Sequence, residues 1–240
     1  DLGFAPDSSF PLTYAEKGLL QVKLHGPGWD DLPLQAGQAL NVVPDKATYA
    51  GHRLEELLPV LDQSGVRYSQ TEDSVTVLGV SKHSKDSAEG VNAIVGLAES
   101  LSLIQPHPAL LFIADAVGED ATGEALFGPI SDEPSGDLSF NLATLVIDQE
   151  QSEIGIDIRI PVLADKDALV ARLQEIAASY QLEYEEFDYL APLYVPLDSP
   201  LVSSLMAVYQ EETGDRTPAM SSGGATFART MENCVAFGAL

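Results

Sequence analysis

The feature that most constrains the fold is an order of elements, strand–strand–helix–strand, that the sequence pattern predicts twice. Apolar runs and alternating residues predict strands, and apolar residues at helical spacing predict helices. The first copy lies near residues 19–80 and the second near residues 138–187. Because the copies share a pattern and not a sequence, we predict an α+β fold with a layer built from two similar halves.

In the first copy, strands are predicted at Leu19–Leu24 and Ala39–Val43, and at 74–80 after a short strand at 66–68. Leucines at helical spacing over Leu54–Leu61 predict a helix that Gly65 ends. The second copy and the connecting helices are assigned in the same way. Strands are predicted at 138–147, 153–160 and 182–187, and helices at 88–104, 108–117, 167–180 and 200–212.

Charge excludes two classes of partner. The chain has 37 Asp and Glu against 12 Lys and Arg, a formal net charge of −25. Nucleic acid and anionic membrane surfaces are both bound through clusters of Lys and Arg, so neither is expected as a partner. A hydrophobic content of 45% is enough for a buried core.

The single cysteine, Cys234, excludes an intrachain disulfide and is consistent with the cytoplasm. No apolar run approaches the length of a membrane span. The chain starts without Met and stops on an apolar, strand-like run, 235–240, so we expect a fragment that lacks both ends.

Local sequence motifs alone do not identify a catalytic or binding chemistry. The four histidines are not arranged as a zinc site, and no Gly-x-Ser-x-Gly, Walker or dinucleotide-binding motif is present. One histidine, His83, follows an apolar strand and lies between Lys82 and Lys85. This electropositive setting favours a neutral imidazole that binds an oxyanion or a carboxylate; the alternative is a solvated histidine in a turn.

Three other segments are candidate binding elements. Arg159 shares one face of a predicted strand with Asp157, and its guanidinium group either clamps a carboxylate or forms a cross-strand ion pair. The loop 221–226 contains Gly223 and Gly224 and is either an anion-binding nest or a tight turn. Asp7, in a proline-rich loop, is by itself typical of an Asx turn.

Taken in order, these segments resemble the PepV-type dipeptidases of the di-zinc exopeptidase family, which includes carboxypeptidase G and aminoacylase. The match covers essentially the whole chain. Its motifs are Asp1–Pro11 with Glu16–Gly18, Asn41–Pro44, Gly79–His83 with Asn92, Gly136–Ser139, Ile158–Pro161, Ser222–Arg229 and Cys234–Gly238.

The resemblance implies an α/β catalytic domain with two zinc ions and an inserted lid of two related, ferredoxin-like halves. Residues 1–17 would then be a catalytic-domain loop, residues 18–190 the lid, and residues 191–240 the truncated return into the catalytic domain. The two halves of the lid would cover about 18–117 and 137–190. A small dipeptide is the implied substrate, and the protein is expected to be a monomer.

The resemblance also implies roles for individual residues. His83 would polarise the scissile carbonyl and stabilise the oxyanion, and Arg159 would bind the substrate's C-terminal carboxylate. Asp7 would be a zinc ligand. The peptide would be positioned by Asn41, Gly223, Gly224 and Ala225.

The sequence also departs from the pattern of this family. Four metal-site residues of the family (a His, a bridging Asp, a Glu base and a Glu ligand) precede the Asp7 loop, and its last His ligand follows the terminal strand. Only one of the five zinc ligands is therefore expected in this chain, and we expect the isolated chain to be inactive. The alternative is a non-catalytic binding or interaction module derived from the lid of such a peptidase.

Overall fold

The computed structural model describes residues 2–239, so the predicted segments that begin at Asp1 and end at Leu240 lie partly outside the described residues. The α+β class is confirmed. The strands are β1 Gly3–Ala5, β2 Thr13–Glu16, β3 Gly18–Pro27, β4 Leu34–Ala36, β5 Lys46–Tyr49, β6 Tyr68–Gln70, β7 Val75–Leu78, β8 Ser131–Asp132, β9 Gly136–Asp137, β10 Ser139–Ile147, β11 Gln151–Ile160, β12 Glu183–Leu190, β13 Leu193–Tyr194, β14 Met220–Ser222 and β15 Cys234–Ala236. The helices are α1 Leu54–Ser64, α2 Ala93–Ser102, α3 Pro108–Leu111, α4 Glu124–Phe127, α5 Lys166–Ser179 and α6 Pro200–Thr213, with a π turn at Phe112–Val117 and 3₁₀ turns at Ser84–Glu89 and Phe227–Thr230.

The predicted lid, residues 18–190, is organised around a five-stranded antiparallel sheet of order β12-β3-β11-β10-β4. β3 alternates buried and half-buried residues over most of its length, whereas β11 is buried at nearly every position. This difference is explained by position, because a central strand covered on both faces loses the alternation that a half-buried strand keeps. The sheet shares one hydrophobic core with α1, α2, α3 and α5.

The strands of the two sequence halves interleave in this sheet. β3, from the first half, lies between β11 and β12 of the second half, and β4 lies at the far edge beside β10. The remaining strands of the first half, β5, β7 and β6, form a separate three-stranded sheet. The two halves are therefore not independent layers, and the ferredoxin-like description of each half stays a prediction.

Local signals predicted most helices well. Helix α1 ends where Gly65 adopts a positive φ of 75°, as expected. Helix α2 begins later than predicted because the Asn92 side chain caps it, accepting hydrogen bonds from two backbone N–H groups. The strand predicted at Ala39–Val43 is wrong: this segment is a loop, and the neighbouring strand is β5.

A second sheet contains β1, β15, β2 and β13 in that order, with β14 also paired with β2. All its strands come from residues 3–16 and 193–236, and helix α6 packs against its core through Val202 and its neighbours. Within residues 2–239, no helix is both long enough and apolar enough to span a membrane.

Candidate functional site

The candidate site lies where the predicted lid meets the loop after β14. Residues 83–89 form a turn that we call the lid turn, and residues 221–226 form the glycine loop. A Cβ atom added to Gly223 would lie 3.0 Å from Cβ of Lys85, so the glycine permits a close approach between these two segments. This contact brings together two segments that are far apart in the sequence, since Lys85 and Gly223 are separated by 138 positions.

His83 begins the lid turn and presents a hydrogen-bond donor. Its Nδ1 accepts a hydrogen bond of 3.1 Å from the backbone N–H of Lys85. An acceptor at Nδ1 places the proton of the neutral imidazole on Nε2. Burial, and then the positive charges of Arg159 and Lys85, lower the pKa of His83 below its ordinary 6.5. The side chain is therefore neutral at pH 7, with an Nε2–H group able to donate.

Arg159 is buried, and its guanidinium group donates hydrogen bonds to three residues. Its Nε and Nη2 donate to the two carboxylate oxygens of Asp157 at 2.6 and 3.1 Å, so the ion pair lies within β11 and is not the cross-strand pair considered in the sequence analysis. Nη2 also donates to Oγ of Ser84 at 3.0 Å, and Nη1 donates to the carbonyl oxygen of Gly223 at 3.2 Å. Arg159 thus joins the lid sheet, the lid turn and the glycine loop.

The other predicted peptide-positioning residues lie around this junction. The carbonyl of Asn41 accepts a 2.9 Å hydrogen bond from the N–H of Ser84, which fixes the start of the lid turn. Gly224 donates to Oγ of Ser222 at 3.0 Å, and Ala225 is exposed. The structure therefore brings Asn41 and the glycine loop close to the segment that carries His83.

Asp7 lies at the other end of the glycine loop. It is exposed, and its Oδ2 accepts a 2.9 Å hydrogen bond from the N–H of Phe227. Within residues 2–239, no cluster of three or more His, Cys, Asp and Glu side chains is positioned to hold a metal ion. One carboxylate does not complete the four-ligand sphere that zinc requires, so the described residues alone do not fit a zinc pair.

A buried ion pair that sequence reasoning missed anchors the glycine loop. Glu16, fully buried in β2, accepts hydrogen bonds of 3.1 and 3.0 Å from Nε and Nη2 of Arg229. The backbone N–H of Thr226 also donates to Glu16, at 3.0 Å, and Arg229 donates to the carbonyl of Gly224 at 3.2 Å. Residues 1–17 are predicted from the sequence to be a loop, whereas Thr13–Glu16 is the fully buried strand β2, so a buried carboxylate at Glu16 was not expected.

Comparison with known proteins identifies relatives of this chain. The chain is 32% identical to the Bacillus subtilis protein named "Putative dipeptidase YtjP" and 30% identical to the protein named "Putative dipeptidase MW1694" of Staphylococcus aureus strain MW2. Each alignment covers 100% of this chain and 56% of the relative. The chain is homologous to PepV-type dipeptidases.

The fold of this dipeptidase homologue also matches a solved structure. The crystal structure of aminoacylhistidine dipeptidase from Vibrio alginolyticus superposes with a TM-score of 0.53 at 12% sequence identity. The superposition covers 99% of this chain and 59% of that structure, and at this identity it supports the fold alone. A search against protein-family models gave no match.

Proposed function

We propose that the chain is the lid-rich part of a zinc-dependent dipeptidase that acts on dipeptides with a free C-terminal carboxylate. The observation that carries this proposal is the meeting of His83, Arg159 and the glycine loop at one junction, in a homologue of dipeptidases. The chain spans 56% of the length of those relatives, so the activity of the whole protein is part of the proposal.

In the proposed reaction, His83 donates from Nε2–H to the oxygen of the scissile carbonyl. The donation strengthens as that oxygen becomes negative in the tetrahedral intermediate, which is where a fixed donor lowers the barrier most. The Nδ1 contact with Lys85 holds the ring orientation before substrate arrives. Asn41 and the backbone of Gly223, Gly224 and Ala225 position the peptide.

Zinc is the proposed cofactor, as two ions in the full-length protein. Asp7 is the ligand that we propose from this chain, because the oxygen that does not bind Phe227 is available at an exposed carboxylate. The remaining ligands are proposed to come from the part of the relatives' length that this chain does not span. The isolated chain should therefore neither hold a zinc pair nor hydrolyse peptides.

Hydrolysis assays separate the proposals. We expect the full-length protein to release free amino acids from L-Ala-L-Ala, and to lose this activity when zinc is removed and regain it when zinc is restored. We expect zinc titration of the isolated chain to show no tight pair of sites. Metal-independent turnover by the isolated chain would contradict the proposal. A full-length protein that binds dipeptides without cleaving them would instead favour the alternative, a non-catalytic binding module.

We further propose a cytoplasmic monomer. The edge strand β12 of the lid sheet carries Glu183, Glu185, Glu186 and Asp188. Like charges along an edge oppose pairing with the same edge of a second copy. Light scattering of the full-length protein tests the monomer, and a dimer that forms at low micromolar concentration would contradict it.

A further inference from the structure

A cavity of about 220 Å³ lies in the lid beside β10. Its walls come from residues 140–142 of β10, the start of α2, the end of the lid turn and the loop 117–121. The residues that line it include neither His83 nor Arg159, and none from the glycine loop. Since a cavity of about 150 Å³ is enough to hold benzene, this one has room for a small organic group.

The edge of β10 that borders the cavity carries two unpaired backbone groups. The N–H of Phe140 donates to the carbonyl of Ala121 at 2.8 Å, and Nδ2 of Asn92 donates to the carbonyl of Leu142 at 2.6 Å. Successive residues of a strand direct their backbone groups to opposite sides, so Phe140 and Leu142 both face away from β11. Pairing with β4 starts only at Leu145. Among residues 2–239, the C=O of Phe140 and the N–H of Leu142 therefore have no partner.

These two groups form a ready-made binding position for one residue of an extended peptide. In a parallel pair, a residue donates its N–H to a carbonyl of the neighbouring strand and accepts from an N–H two positions further along that strand. Phe140 and Leu142 offer this acceptor and this donor. Between them, Asn141 also lines the cavity, and its buried Oδ1 has no hydrogen-bond partner in the described part of the chain. Peptides commonly bind open sheet edges in this way.

The walls around this edge suit an aliphatic side chain. Six of the lining residues are apolar, and they come from four separate segments of the lid: Val43, Val91, Val95, Val117, Phe140 and Leu142. An apolar side chain that enters the cavity leaves water and gains contacts on several sides.

The charge around the cavity favours a cation. Glu119 and Asp120 line it, whereas no Lys or Arg does. Burial, and then the negative charge of Glu119, raise the pKa of Glu99 above its ordinary value, so neighbouring carboxylates repel one another here. A positively charged group at this position would relieve that repulsion, and a carboxylate would add to it.

We propose that this cavity binds the amino terminus of a peptide whose first residue is apolar. The α-ammonium group donates to the carbonyl of Phe140, and Glu119 balances its charge. The carbonyl of the first residue accepts from the N–H of Leu142, and its side chain occupies the apolar walls. A free amino acid has the same amino group, but its carboxylate would lie in a cavity without Lys or Arg. The inference does not depend on dipeptidase activity, because it uses none of the candidate-site residues.

Isothermal titration of the full-length protein with three small ligands tests this chemistry. L-Leucinamide stands for the first residue of a peptide, N-acetyl-L-leucinamide lacks the charge, and L-leucine adds a carboxylate. We expect L-leucinamide to bind and the acetylated compound to bind at least about tenfold more weakly, because it loses a charged donor. L-Leucine should also bind more weakly than the amide. If L-leucinamide does not bind, or if either of the other ligands binds as tightly, the proposal is wrong.

Two variants locate the binding. Glu119→Gln removes the lining carboxylate, and Glu124→Gln removes an exposed carboxylate that does not line the cavity. A partly solvated ion pair corresponds to about 2- to 5-fold in affinity. We therefore expect Glu119→Gln to weaken L-leucinamide binding by about that factor, and Glu124→Gln to bind like the wild type. Equal affinity in both variants would show that the ligand binds elsewhere, at the candidate site for example, and would refute the proposal whether or not the protein is a dipeptidase.

Discussion

Replacing Asp157 by Asn tests the buried network that holds the candidate site. Asp157 is fully buried, and its carboxylate accepts two hydrogen bonds from Arg159 and one of 3.0 Å from Nε2 of Gln21. The Asn side chain has the same size, but it replaces one oxygen with an NH₂ group. The new NH₂ group would face the N–H donors of Arg159 and Gln21 instead of an acceptor. The guanidinium group of Arg159 would also lose its counter-charge.

The size of the effect follows from burial. Removing one partner of a buried ion pair leaves an uncompensated charge and costs about 3–5 kcal/mol. For a chain of this length, each kcal/mol lowers Tm by about 2–4 °C. We therefore expect Asp157→Asn to lower the free energy of unfolding by about 3–5 kcal/mol and Tm by about 6–20 °C. Asp157→Asn combined with Arg159→Met should recover part of the loss, because no buried charge then stays unpaired.

Urea denaturation followed by circular dichroism, together with calorimetry, measures both quantities. Glu89→Gln is the matched control, because it removes the acidic partner of an ion pair between exposed side chains, Lys82 and Glu89. It should leave the unfolding midpoint unchanged within error. If Asp157→Asn lowers the stability no more than this control does, the network around Arg159 does not stabilise the site in the way described.

Three further predictions concern other parts of the fold. Burial lowers the pKa of His107 below 6.5, so the imidazole binds a proton more readily in the unfolded chain than in the folded one. The free energy of unfolding should therefore fall as pH drops below about 6.5. Urea titrations of His107→Asn should show a smaller fall. Burial raises the pKa of the Cys234 thiol, so alkylation should follow unfolding, and fast labelling of the native protein would contradict this. Gly37→Ala should lower Tm far more than Gly65→Ala, because both glycines have positive φ but only at Gly37 would a new Cβ meet a backbone oxygen, that of Ala143, at 1.9 Å.

The elements that local chemistry determines could be predicted from the sequence. The end of α1 at Gly65 depends on residues within one turn, and the helix predicted at 167–180 matches α5, Lys166–Ser179, to within one residue at each end. Residues Ala39–Val43 have the composition of a strand and were wrongly predicted to be one. In the fold, contacts with a side chain of β10 take the place of pairing with a neighbouring strand. There the Asn141 side chain donates to the carbonyls of Leu40 and Val42.

Pairings between distant segments could not be predicted. The sequence contains no signal that places β3 between β11 and β12, because strand order depends on which surfaces exclude water together. The same limit applies to the site. The position of His83 in a turn followed from its local sequence, whereas the Glu16–Arg229 pair joins residues that are 213 positions apart.

The most direct test of the proposed function is the effect of His83→Asn on dipeptide hydrolysis by the full-length protein. Asn retains an acceptor for the N–H of Lys85, so the lid turn should keep its cap while the Nε2–H donor is lost. Loss of one oxyanion donor costs about 10²–10³ in kcat. We predict a fall of that order in kcat for L-Ala-L-Ala with little change in KM. A variant that folds normally and retains wild-type kcat would contradict the assignment of His83 and, with it, the proposed arrangement of the site.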